Sequence, residues 1–101
     1  MIEMIPIVIK GQTFLGITVK LPKTNLLAVT CDKGYIMCGA LDVALLNEKL
    51  ASRNIVAGRA VGVKTISDLL EAPLESVTTG AEKLGVMPGM IGSDALIIMN
   101  S

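Results

Sequence analysis

Histidine and tryptophan are absent from this chain of 101 residues, which has one tyrosine, one phenylalanine and two cysteines. Without histidine the chain lacks the commonest general base and the usual partner of a catalytic serine or cysteine. It also lacks one of the main zinc ligands, and the six residues between Cys31 and Cys38 do not match the spacing of a zinc site. We therefore expect no bound metal and no cofactor.

Charge and aromatic side chains are also scarce. Charged residues make up 18% of the chain, and nine basic residues balance nine acidic ones. No net field would attract nucleic acid or an anionic membrane, and few aromatic rings are present on which bases could stack. We expect no nucleic-acid partner.

Long uncharged apolar runs are missing as well, so we expect no membrane span. The opening stretch, with Glu3 and Pro6 and no basic leader, does not have the pattern of a secretion signal. The two cysteines are typical of a reducing compartment and do not form a disulfide framework. These features together predict a cytoplasmic protein.

Apolar residues are what the chain has in excess, at 51% of the sequence. One domain spanning residues 1–101 is expected from the length, and a chain this short has a small core. It has more apolar surface than such a core can hide, which predicts contact with other subunits.

Residues 2–21 have the pattern of a β-hairpin that turns at Gly11-Gln12. This register places Val8 opposite Leu15 on one face and Ile9 opposite Phe14 on the other, and both faces are largely apolar. Helices of the same subunit can cover one side, and a second subunit would cover the other. The alternative is a strand pair buried inside one monomer, which Pro6 disfavours because proline belongs at sheet edges.

A second hairpin is predicted from Leu26–Cys31 and the strand that ends at Cys38. A turn at Lys33-Gly34 would place the two thiols diagonally on one face, about 7–8 Å apart, which is too far for an unstrained disulfide. The N-terminal β region then covers about residues 1–39.

The remaining chain predicts a crossover followed by helices. A helix at Leu41–Arg53 and a strand at Ile55–Val63 imply a parallel β-α-β unit. Thr65 and Asp68 have the form of a helix cap before a short helix at Ile66–Glu71. We also expect a helix from Pro73 to Leu84 and a last helix at Ala95–Met99. The fold class is α+β: N-terminal antiparallel β-hairpins, a β-α-β crossover, then C-terminal helices packed on one face of the sheet.

Cys38 carries the sharpest chemical signal. We expect it to end a strand and to face the start of a helix, where backbone N–H groups and the helix dipole favour a thiolate or an anion. The alternative is a small buried side chain, because free cysteine is among the most buried residue types.

Two polar residues stand on otherwise apolar faces. Asn47 lies in the apolar stripe of the first helix, either as a buried amide bonded to backbone or as a ligand-binding group. Arg59 lies among apolar neighbours of the crossover strand, either paired with an acid such as Asp42 or Asp68 or acting as an anion clamp. We name both as candidate ligand-binding residues.

Three segments, GYIMCGALD, RAVGVKTISDLLEAP and LGVMPGMIGSDAL, resemble those of the YunC-like family, a bacterial and archaeal domain of unknown function. The resemblance runs nearly the full length of the chain. It implies that the N-terminal β region serves tetramerisation, and it places the family's cysteine at Cys38. It implies no reaction, cofactor or catalytic residue. Ile91 stands where the family pattern predicts a hydroxyl residue.

Two hypotheses follow. In the first, the protein is a non-catalytic binding or structural module, a homo-oligomer assembled through its N-terminal strands that presents the crossover to a small ligand. In the second, it is a thiol-dependent enzyme in which Cys38 attacks, Arg59 orients a small anionic substrate and Asn47 polarises it.

Overall fold

The computed structural model describes residues 1–39, 43–48 and 53–101. Strands within these ranges are β1 (Ile2–Ile9), β2 (Gln12–Leu21), β3 (Thr24–Thr30), β4 (Tyr35–Met37), β5 (Ala57–Arg59) and β6 (Ser76–Val77). Helices are α1 (Val43–Glu48), α2 (Ile66–Glu71), α3 (Thr79–Lys83) and α4 (Gly92–Met99).

The described strands form one sheet whose spatial order follows the chain, from β1 to β6. Strands β1 to β4 are antiparallel neighbours, β4 and β5 run parallel, and β5 and β6 are antiparallel. In the chain, α1 lies between the parallel strands β4 and β5, as the predicted β-α-β crossover requires. The α+β fold class is confirmed.

The first hairpin turns one residue earlier than the sequence predicts. Its loop is Lys10-Gly11, because Ile9 pairs with Gln12. Both loop residues have positive φ, 49° and 80°, as a type I′ turn requires. The register therefore shifts by two residues, and a shift of two keeps every side chain on its predicted face.

Pro6 lies in the middle of β1, the edge strand, without breaking it. Lys20 N–H donates to the Met1 carbonyl at 2.8 Å, which marks the odd-numbered residues of β1 as those bonded to β2. The even-numbered residues therefore turn their backbone groups toward the edge of the sheet. The missing N–H of Pro6 costs the β1–β2 ladder nothing.

The second hairpin also differs from its predicted register by two residues. Its loop is Asp32-Lys33, and Cys31 N–H donates to the Gly34 carbonyl at 2.9 Å. Val29 pairs with Ile36, which places Cys38 beside Leu27. The two cysteines are then four strand positions apart, about 13 Å, instead of the predicted 7–8 Å.

The hydrophobic core lies on one side of the sheet. Phe14, Leu27 and Ile36 face helices α2 and α4, which contribute Leu69 and Leu96. Gly92 opens α4 because a side chain there would meet the Leu69 carbonyl oxygen, so the two helices approach closely. The further buried apolar residues of this core include Val29, Leu74, Val77, Val86 and Met99.

The predicted helix from Pro73 to Leu84 is wrong. Its first part forms β6 against β5, with Thr78 N–H donating to the Ala57 carbonyl at 2.9 Å, and only Thr79–Lys83 is helical. The Val77-Thr78-Thr79 run of β-branched residues favours strand over helix, and Thr78 caps α3 instead. Gly85 follows this helix with φ 98°, as predicted for its stop.

Other predicted bounds change less. Helix α2 spans Ile66–Glu71 as predicted, and the Thr65 hydroxyl accepts a hydrogen bond from Asp68 N–H. Helix α4 begins at Gly92 instead of Ala95, behind an Ile91 cap that makes no side-chain bond. The predicted strand at 55–63 shortens to β5. The predicted first helix appears as α1, and its positions 41–42 and 49–52 lie outside the described residues.

Candidate functional site

The face of the N-terminal strands that points away from the core is apolar and largely uncovered. We call it the open face. Among its residues, Val8 is 69% exposed, Ile2 65% and Met4 64%. The open face consists of the even-numbered residues of β1, the odd-numbered residues 15–21 of β2, and Leu26 and Ala28 of β3.

The end of the hairpin near the N-terminus is exposed on its core side as well. Ile5 points to that side and is 50% exposed. Beside it, Lys20 and Glu3 form an ion pair at 3.3 Å with both side chains about half exposed, which contributes little to stability. The hairpin end therefore exposes an apolar side chain, Ile5, on its core side in addition to those of the open face.

Cys38 follows β4 and is part of the core. Its side chain is 7% exposed, and its sulfur accepts a hydrogen bond from Leu27 N–H at 3.5 Å. The helix start that it was predicted to face includes residues 40–42, outside the described part of the chain. The geometry that is described matches the buried alternative for this thiol.

Arg59 is held by an acid and a carbonyl. Its guanidinium is 2.8 Å from the Glu75 carboxylate and also donates to the Gly39 carbonyl at 3.2 Å. The acid is thus Glu75 and not Asp68, while Asp42 lies outside the described residues. A hydrogen bond from the Ser76 hydroxyl and the contact with Arg59 hold the pKa of Glu75 below its ordinary value.

Arg59 and Cys38 do not share a face of the sheet. Arg59 pairs with Met37 in the parallel ladder, so both side chains point to the open side. Cys38 is the next residue after Met37, and successive side chains of a strand point to opposite faces. The structure does not bring the two side chains together.

Asn47 connects two helices. Its amide oxygen accepts a hydrogen bond from Thr79 N–H at 3.0 Å, at the first turn of α3. The side chain is half-buried and bonded to backbone. This contact ties α1 to a segment 32 residues later in the chain.

Thr78 is the polar residue that sequence reasoning missed. Its buried hydroxyl donates to the Ile55 carbonyl at 2.6 Å and accepts hydrogen bonds from Ala57 N–H and Ala81 N–H. It therefore links the strand β5 to the start of α3. The sequence has no capping box at Thr78, because Ala81 and not an acid stands three residues later, and the predicted helix ran through this position.

The comparisons with known proteins cover nearly the whole chain. The family described as domain of unknown function DUF1805 matches residues 37–99. The chain is 67% identical over 99 residues to the uncharacterized protein YunC of Bacillus subtilis (strain 168), and the match covers 98% of each.

The chain belongs to the DUF1805 family.

A solved structure shows the same fold. The crystal structure of a protein of unknown function, TA1206 from Thermoplasma acidophilum, superimposes on this DUF1805 chain with a TM-score of 0.87 at 30% identity. The match covers 98% of this chain and 93% of that one, so it includes the N-terminal hairpins that precede the family match.

The three segments that carry the family resemblance lie around the core of the DUF1805 domain. GYIMCGALD contains β4 and Cys38, RAVGVKTISDLLEAP runs from the end of β5 through α2, and LGVMPGMIGSDAL leads into α4. Among the described residues, no cluster of side chains could hold a metal ion. No helix of the described chain is long and apolar enough to cross a membrane.

Proposed function

We propose that this protein is a small cytoplasmic, homo-oligomeric module without catalytic activity, which assembles through its N-terminal β-strands into a tetramer and serves in binding or structure. One observation carries the proposal. Strands β1 and β2 expose a continuous row of large apolar side chains that helices α2 and α4, on the other side of the sheet, do not reach.

The size of the open face supports assembly. With about 3.3 Å per residue and about 4.8 Å between strands, the part on β1 to β3 covers on the order of 400 Å². Contiguous exposed apolar patches of a few hundred Å² or more mark interaction sites on soluble proteins. A second copy offers a matching apolar surface, as an isologous interface requires.

Two separate surfaces favour a tetramer over a dimer. The open face is one, and the core-side surface around Ile5 at the hairpin end is the other. A tetramer with three twofold axes uses at least two different isologous interfaces in each subunit. Pairing along the β1 edge is less favourable, because Pro6 presents no donor in the middle of that edge.

A charge on the open face tests the proposal. Met4→Lys should lower the mass in light scattering toward the 10.6 kDa of one chain, because assembly would bury the lysine charge. Met87→Lys is the matched control, since Met87 is 51% exposed outside the hairpin. Circular dichroism confirms that both variants fold. If the Met4→Lys variant folds and keeps the wild-type mass, assembly through this face is wrong.

No contact among the described residues favours the thiol-dependent enzyme. Cys38 is buried, and Arg59 and Asn47 each have a structural partner. Their roles in catalysis or ligand binding stay predictions, and the reactivity of Cys38 tests the enzyme hypothesis.

A further inference from the structure

The handedness of the crossover places helix α1 on the open side of the sheet, opposite α2 and α4. Seen from the core side with β1 running upward, the strands follow from left to right, because Leu27 faces the core on the upward strand β3 and its carbonyl accepts a hydrogen bond from Cys38 N–H of β4. Strands β4 and β5 then both run downward, with β5 on the right. A right-handed connection between them, the hand of nearly all such crossovers, passes behind the sheet.

The burial of Ala57 agrees with this placement. Ala57 lies two residues before Arg59 in β5, so its side chain points to the same, open side. It is nevertheless 0% exposed, although α2 and α4 lie on the other side of the sheet. Helix α1 contacts β5, and its Asn47 is bonded to Thr79 N–H next to this end of the strand. The open side is therefore covered over β4 and β5 and uncovered over β1 to β3.

This half cover restricts how two open faces can meet. A helix on a sheet has its axis about 10 Å from the strands, and two stacked sheets are also about 10 Å apart, so α1 occupies the layer of a partner's sheet. A twofold axis across the strands would place the partner's β4 and β5 where α1 already lies. A twofold axis along the strands avoids this overlap and places the partner's β1 edge beside α1.

We propose that two copies of this chain pair through their open faces about an axis along the strands, with α1 of each copy packed against the β1 edge of the other. This inference rests on the assembly proposed above and names the surfaces that meet in it. The open face, on the order of 400 Å², is half of the roughly 800 Å² that each partner buries in a typical stable interface, so the contact has to continue beyond β1 to β3.

The β1 edge suits contact with a helix better than contact with another strand. Covering an exposed edge with a helix is one of the ways in which proteins protect edge strands. Pro6 lacks the N–H that a neighbouring strand would need in the middle of this edge, whereas the side of a helix needs no such donor.

Cross-linking between chains tests the arrangement. Chains with Glu48→Cys on α1, where the side chain is exposed, are co-expressed with tagged chains that contain Met4→Cys on β1. Cys31→Ser is present in every chain, and Cys38 stays in the core. A bismaleimide with a reach of about one helix diameter, roughly 10–12 Å, should join the two kinds of chain.

Two controls distinguish this contact from random collision. Asp94→Cys places an equally exposed cysteine on α4, on the opposite side of the sheet, and should give about tenfold less product with Met4→Cys than Glu48→Cys does. Glu48→Cys chains alone should give little product, because the two α1 helices lie on opposite sides of the axis, more than about 20 Å apart. Ile2→Cys provides a second position on β1, and circular dichroism confirms that each variant folds.

Light scattering on the same samples separates this inference from the proposed function. A folded particle with the mass of one chain would overturn both. An assembled particle in which Glu48→Cys joins neither Met4→Cys nor Ile2→Cys would overturn the placement of α1 alone. So would an equal yield from the Asp94→Cys control, or efficient joining of two Glu48→Cys chains.

Discussion

Thr78 shows how one buried hydroxyl joins two elements of this fold. It donates to a carbonyl just before β5 and accepts from one N–H of β5 and one of α3. Backbone groups at a buried site need partners, and an unpaired one costs roughly 1–3 kcal/mol. The position therefore carries a larger share of stability than its small side chain suggests.

Thr78→Val keeps the shape of this side chain and removes its hydrogen bonds. We expect it to lower the free energy of unfolding by about 3 kcal/mol, because backbone groups of Ile55, Ala57 and Ala81 lose a partner. Urea denaturation measures the change. Thr24→Val, at an exposed position of β3, is the control and should change stability by less than about 0.5 kcal/mol. Equal effects of the two substitutions would contradict this role.

Cys38 decides between the two functional hypotheses at the scale of a single residue. We expect its alkylation by iodoacetamide to follow unfolding, because the side chain is buried within the core. Alkylation rates measured from about pH 6 to pH 9 in native buffer and in urea, with Cys31 as the internal comparison, provide the test. Fast native alkylation of Cys38 well below pH 8.5, about the ordinary pKa of a free cysteine, would revive the thiol-dependent enzyme.

At the scale of elements, the first hairpin separates what sequence can predict from what it cannot. Two apolar runs on either side of Gly11 located both strands, and the two-residue period of a strand assigned each residue to a face. The turn was placed one residue late, because a glycine can open a type II′ turn or close a type I′ turn. Lys10 is an unfavourable residue for positive φ, so the sequence at this turn did not indicate type I′.

The unfavourable positive φ of Lys10 predicts a stabilising substitution at this position. Lys10→Asn should raise the free energy of unfolding by about 0.5–1 kcal/mol, since Asn-Gly is a preferred pair for a type I′ turn. Lys10→Gln removes the same charge without that backbone preference and serves as the control. Both are measured by urea denaturation. A Gln variant as stable as the Asn variant would mean that backbone strain at Lys10 is not the cause.

In the C-terminal elements, too, features set by neighbouring residues were predicted and features set by distant contacts were not. The Thr65 cap located α2 to the residue, because capping is decided within a few positions of the chain. Spacing of apolar residues suggested a helix through Ser76 and Val77, whereas pairing with β5 made them a strand. Pairing with a distant strand overrides local spacing, and a single sequence does not show it.

For the candidate site, the sequence predicted the apolar surface but not the partners of the polar residues. Excess apolar residues on both faces of the hairpin were visible in the sequence, and the open face is where they remain exposed. The partners of the polar candidates were not visible, because Glu75 lies 16 residues beyond Arg59 and Thr79 lies 32 beyond Asn47. Contacts over such separations depend on the completed fold.

At the scale of the whole molecule, the account depends on how a short chain covers its apolar surface. Apolar residues are 51% of the sequence, and the core lies on one side of the sheet. The opposite side of β1 and β2 retains side chains such as Val8 and Met4 that are more than half exposed. Association of several chains would remove this surface from water.

The mass of the wild-type particle in solution tests this claim most directly. Light scattering coupled to size exclusion, at micromolar protein concentration, should give about four times the 10.6 kDa of one chain. A folded particle with the mass of a single chain would contradict the account, because the open face would then remain in water.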